Sequence, residues 1–141
     1  MKEYKIGYTQ GVYDMFHIGH LNIINKAKEQ CECLVVGVNS DELVKTYKNK
    51  TPIINEVERL EIIQNLKAVD KAVIVNTLDK KEIWNMFHFE AIFIGDDWKG
   101  NKRWEETEKV MNTIGAKLIY LPYTKGISTS SLTETVKSIS N

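Results

Sequence analysis

The chain has little to cross-link it. Among 141 residues there are two cysteines and two prolines. Cys31 and Cys33 stand one residue apart, a poor spacing for a disulfide, and no third cysteine offers either a partner. Without a disulfide framework the chain is expected to be a reduced, cytoplasmic protein. Net charge is missing too, because nineteen Lys and Arg balance nineteen Asp and Glu. That balance argues against a broad nucleic-acid or anionic-membrane surface. No apolar run approaches the ~20 residues a membrane span needs. Met1-Lys-Glu-Tyr-Lys5 runs straight into a strand and carries no signal-peptide core.

What is present alternates. Apolar segments at 4–8, 33–38, 72–75, 91–94 and 117–121 read as short buried strands. Between them lie helical patterns. One covers 21–29. Another opens at Asn55, with an acid three residues on, and carries Val57, Leu60, Ile63 and Leu66 on one side. Others cover 79–87 and 103–114, the latter closed by Gly115, and a last one opens at Ser131. Residues 39–41 read as a turn or a short helix start, and 45–52 as a polar loop. This order predicts one α/β domain over residues 1–141, a five-stranded parallel sheet with helices on both faces. Ligands of such sheets bind at the carboxyl ends of the strands. Four suspicious stretches follow strand ends: the His17/His20 turn, the Lys48/Lys50 loop, residues 95–98 and residues 124–129. The topology is expected to bring them to one edge.

The densest chemistry lies between Tyr8 and His20. Gly11, Asp14, His17, Gly19 and His20 fall in the link from the first strand to the first helix. Two imidazoles three residues apart at a helix start face one point in space. That point also meets unpaired helix N–H groups and the positive dipole end, a good place for phosphate. Imidazole donors can follow charge as it develops on phosphate oxygens. Elsewhere, Lys48, Lys50 and Arg59 read as a cationic clamp on a triphosphate and a second phosphorylated substrate. Residues 95–98, Gly-Asp-Asp-Trp, end an apolar strand with a carboxylate able to accept from the exocyclic amine of cytosine. Hydroxyls and N–H groups near the start of the last helix can hold phosphates.

Gly11-Val12-Tyr13-Asp14 followed by His17-Ile-Gly19-His20 resembles the paired GxFD and HxGH motifs of the cytidylyltransferases, in the HxGH nucleotidyltransferase superfamily. The likeness extends along nearly the whole chain. Lys48 and Lys50, counted back from Arg59, stand where the glycerol-3-phosphate enzymes carry theirs. Residues 52–59 resemble the matching segment of the choline- and ethanolamine-phosphate enzymes. The GDDW stretch resembles the segment beside the nucleotide, which assigns Asp97 and Trp98 to it. Residues 123–129 resemble the RTxGxST motif, which assigns Thr124, Ser128 and Thr129 to the nucleotide. Two positions depart. Tyr123 replaces the leading arginine of that motif, and Lys67 replaces the arginine of an RYVDEV segment. Tyrosine has neither the charge nor the bidentate grip of a guanidinium. Lys67, Tyr123 and Lys125 form the expected acceptor-binding set.

The resemblance implies a Rossmann-like nucleotidyltransferase fold and a homodimer. It implies CTP, entering with Mg²⁺, as one substrate and glycerol 3-phosphate as the other, giving CDP-glycerol for teichoic acid or capsule synthesis. Other polyol phosphates, phosphocholine, phosphoethanolamine and phosphonates carry a similar anionic group. An adenylyltransferase and a nucleotide-binding regulator are the competing functions. No protein metal site is expected. Cys31 and Cys33 lie at the far end of the first helix from His17 and His20, and read as small core residues. His88, Trp84 and Trp104 read as structural.

Overall fold

The computed structural model describes residues 2–122. The elements alternate as β1 (Tyr4–Gly11), α1 (Ile18–Gln30), β2 (Cys31–Asn39), α2 (Asp41–Lys48), α3 (Glu56–Gln64), β3 (Lys71–Val75), α4 (Lys80–Phe87), β4 (Ala91–Gly95), α5 (Lys102–Thr113) and β5 (Lys117–Leu121), with one 3-10 turn at Asp96–Trp98. The strands form a single parallel sheet in the order β3-β2-β1-β4-β5. The order reverses between β1 and β4, so the crevice at their carboxyl ends is the place for a ligand.

Both faces of the sheet are covered, and the side-chain period of two shows how. On β2, Leu34, Val36 and Val38 join a core with Ile23, Ile24 and Ala27 of α1 and Ile63 of α3. Val35, between them, joins the opposite core with Ile83 of α4 and Trp104 and Met111 of α5. The caps set where helices begin. The Asn55 side chain accepts the Glu58 N–H at 2.9 Å, and Asp79 accepts from Lys81 at 3.0 Å. Gly115 takes a φ of 82°, a value suited to glycine, just past the end of α5.

Three expectations are corrected. Residues 45–48 are helical, not loop: Ser40 caps α2 by accepting the Leu43 N–H at 3.1 Å, and buried Leu43 and Val44 anchor it. α1 starts at Ile18, which makes His17 its cap. Val57 is 68 % exposed, because α3 lays Ile63 and Leu60 on the sheet and turns Val57 outward. Among the described residues no helix is long and apolar enough to cross a membrane.

Candidate active site

Between β1 and α1 the chain turns through Tyr13 (φ 57°) and Met15 (φ 50°). Positive φ is uncommon outside glycine, and two such residues in three mark a turn that its surroundings hold in place. Asp14, between them, does much of the holding. Its two carboxylate oxygens accept the N–H groups of Ile53 at 2.8 Å and Ile54 at 2.9 Å. The turn is thus pinned to the loop that follows Lys50.

His17 and His20 cap α1 reciprocally. His17 Nδ1 accepts the Gly19 N–H at 3.0 Å, and His20 Nδ1 accepts the His17 N–H at 3.3 Å. This is a capping box built from imidazoles. Its consequence is chemical. An Nδ1 that accepts carries no proton, so each neutral ring holds its proton on Nε2. The rings stack at 3.9 Å, and Tyr13 and Phe16 pack around His20. His17 Nε2 is buried with no partner among the described residues. A buried donor left this way is one a phosphate oxygen would satisfy. Burial and the adjacent His17 push His20 down to about 4, against a pull from Asp14. Burial lowers His17 as well. Both rings are neutral donors at pH 7.

That neutrality has a measurable cost in acid. Between pH 6.5 and about 4 the unfolded chain takes up a proton at His20 that the folded chain refuses. Stability therefore falls as pH drops through this window. His20→Asn is expected to flatten that limb of the stability–pH curve in denaturant titrations. An unchanged slope would mean the ring is not held neutral.

A cavity of about 420 Å³ opens over the carboxyl ends of β1, β2 and β4. Of the residues assigned from the sequence, Gly11, Val12, Tyr13, Asp14, Gly19, His20, Lys48, Lys50, Asp97 and Trp98 line it. His17 is not part of the lining but stacks on His20, which is. Burial, then Lys50 and Arg103, lower the Lys48 ammonium, opposed by Asp14. Burial raises the Asp97 carboxyl, and Asp96 adds to the shift. Tyr123, Thr124, Lys125, Ser128 and Thr129 lie outside the described residues.

Two further assigned residues are not in the wall. Arg59 is fully buried. Its guanidinium donates to the carbonyls of Ile54, Val12 and Asn39 at 2.7–2.8 Å and pairs with Asp41 at 2.5 Å. It braces the site from behind, and a clamp on substrate phosphate would need those donors free. Lys67 is exposed in the turn before β3, at the end of the sheet opposite the cavity.

Other wall residues were not foreseen. Gln10 Nε2 donates to Asn39 Oδ1 at 2.8 Å, and Asn39 Nδ2 to the Tyr47 hydroxyl at 2.9 Å, a polar chain across β1, β2 and α2. Lys80 and Trp104 line the cavity with Arg103. Lys80 is only 7 % exposed; its Nζ donates to the Leu78 carbonyl at 3.0 Å and lies 5.2 Å from the Trp104 ring. Burial and Arg103 push its ammonium down to about 8, against Asp79. The sequence did hold a signal for them. α4 and α5 each follow a strand, so their first turns must face the carboxyl edge. Among the described residues no group of three or more His, Cys, Asp or Glu could hold a metal ion.

Comparison with known proteins places this geometry. Residues 8–135 match the family model described as cytidylyltransferase-like. The bifunctional protein HldE of Hyphomonas neptunium is 31% identical over 129 residues, which are 91% of this chain and 26% of that protein. HldE of Nitratiruptor sp. is 32% identical over 135 residues, 95% of this chain and 28% of that protein. The chain thus spans about a quarter of the length of these relatives. Among solved structures, the lipopolysaccharide core biosynthesis protein of Thermoplasma volcanium is 27% identical with a TM-score of 0.72, covering 88% of this chain and 99% of that one. The pantoate-beta-alanine ligase of Francisella tularensis, 14% identical with a TM-score of 0.58, covers 100% of this chain and 72% of its own and shares the fold.

Proposed function

Because this chain belongs to the cytidylyltransferase-like family, whose chemistry is nucleotidyl transfer, we propose that it moves CMP from CTP to a phosphorylated alcohol. Glycerol 3-phosphate is the acceptor in this reading, and CDP-glycerol and pyrophosphate are the products. The observation that carries it is convergence. His20 after β1 with His17 stacked on it, two lysines after β2 and a carboxylate with an indole after β4 converge on one cavity. That set provides for a phosphate in transfer, an anionic acceptor and a base with an amino group. The GDDW and ISTS stretches, through their likeness to cytidylyltransferase motifs, support CTP over ATP in this reading.

The reaction is an in-line displacement. An acceptor phosphate oxygen forms a bond to the α-phosphorus of CTP, and the bond from that phosphorus to the bridging oxygen breaks. Pyrophosphate leaves with the bonding pair. A phosphate dianion is nucleophilic without a protein base, so the enzyme contributes position and charge stabilisation. His17 and His20 donate Nε2–H to the α-phosphate oxygens. Lys48 and Lys50 draw in the acceptor, and Asp97 and Trp98 hold the nucleoside. Ser128 and Thr129 are assigned to the β and γ phosphates, and Thr124 to the nucleotide. Mg²⁺ enters on the triphosphate. Both Asp14 oxygens already hold backbone N–H groups, which suits a turn-orienting role better than a metal ligand.

A second reading makes the acceptor a sugar phosphate. It is favoured by the likeness to the Thermoplasma protein, whose name places it in lipopolysaccharide core biosynthesis. The test is pyrophosphate release with CTP or ATP against a panel of phosphorylated alcohols and sugars. Turnover with CTP and glycerol 3-phosphate is the expected result. Turnover restricted to sugar phosphates would replace the acceptor, and a requirement for ATP would overturn the cytidylyl assignment.

A further inference from the structure

Arg103, in the first turn of α5, is the only arginine lining the cavity among the described residues. Its side chain is exposed, with Cζ 6.0 Å from the Trp98 ring and 5.9 Å from the Trp104 ring. Neither ring carries a countercharge. The ion pairs among the described residues are Lys28–Asp70 and Arg59–Asp41, so no carboxylate is bound to Arg103 there. Its charge is felt at Tyr47 and Lys48 on α2 and at Lys80 on α4. Trp104, packed beneath it, keeps a buried indole N–H without a partner among the described residues.

Lys48, Lys50, Lys80 and Arg103 thus surround one cavity. Two carboxylates, Asp14 and Asp97, line it as well, and Asp14 is taken up by backbone N–H groups, so the four cations outnumber the acids and favour an anion among them. The nucleotide phosphates already have the α1 N-terminus and two imidazoles. The cations on which Arg103 acts, Lys48 and Lys80, belong to α2 and α4 and are not part of that helix end. The sequence adds an independent point. Tyr123 stands where the resembled motif has its arginine, so that motif brings no guanidinium to the site.

We propose that Arg103 binds the phosphate of the acceptor, supplying from α5 the guanidinium that position 123 lacks. This rests on the cytidylyl-transfer reading. Its planar fork can grip two phosphate oxygens, while the two indoles hold it ready with little loss of rotamer freedom.

Steady-state kinetics of Arg103→Ala test this. The acceptor KM is expected to rise about ten- to a hundredfold, the scale of a charged hydrogen-bond pair, with the KM for CTP unchanged. Arg103→Lys should fall between, and added guanidinium ion should restore part of the alanine variant's loss. An unchanged acceptor KM, or a rise confined to CTP, would overturn the assignment. If the wild type transfers no CMP, the reaction reading has failed by itself. Arg103 is then judged by calorimetric titration with inorganic phosphate. Weaker binding in Arg103→Ala keeps the anion site, and undiminished binding removes it.

Discussion

Alanine at His17 is expected to lower kcat about 10²- to 10³-fold, the scale of one lost oxyanion donor. The KM for CTP should move little, because the donor acts on charge that develops only in the transition state. The reason lies in the cap. His17 Nδ1 is occupied by the Gly19 N–H, so the ring is oriented and its proton assigned to Nε2 before substrate arrives. Stacking on His20 removes the remaining freedom of the ring. A preorganised donor costs no reorganisation during reaction. Alanine also removes the helix cap, worth about 1 kcal/mol. His17→Asn separates the two effects, because its side-chain oxygen can cap α1 while its amide falls short of the imidazole's reach. The asparagine variant should recover thermal stability and stay slow. An alanine variant with near-full turnover would remove His17 from the chemistry.

How much of this was legible depended on range. The histidine box is local, three residues on one helix start, and the motif carried it. The cap at Asn55 and the stop at Gly115 were equally local, and α3 begins and α5 ends beside them. Strand order could be anticipated only as a class, yet that sufficed to predict that segments after β1, β2 and β4 meet. Direction was what failed. Spacing put Val57 on the same side of α3 as Ile63, but the helix covers the sheet with a narrower stripe and Val57 faces water. Lys48 was placed in a loop because polar residues surround it, whereas two buried side chains upstream keep α2 going. Arg103 carried no motif. Its place follows from where α5 begins relative to β4, which is tertiary information.

Arg59 shows the same limit at its largest, and removing it is expected to destabilise the fold by about 3–5 kcal/mol, the cost of breaking a buried pair from one side. Position in the chain made it a third cation beside two lysines. Folding instead turns it inward, where it joins four segments. Val12 belongs to the turn after β1, Asn39 ends β2, Asp41 starts α2 and Ile54 precedes α3. Arg59→Ala would strand three carbonyls and one carboxylate and leave a void. Arg59→Met should fill the void and still be unstable, because the carbonyls stay unpaired. Lysine keeps the charge but cannot span four acceptors with a point ammonium, so Arg59→Lys should fail to restore stability. The measurement is urea unfolding, with kcat read on whatever remains folded. A drop in kcat larger than the unfolded fraction explains would follow from slackening the turn that carries His17. An Arg59→Ala protein of wild-type stability but raised acceptor KM would return Arg59 to the substrate clamp, because its donors would then have been free all along.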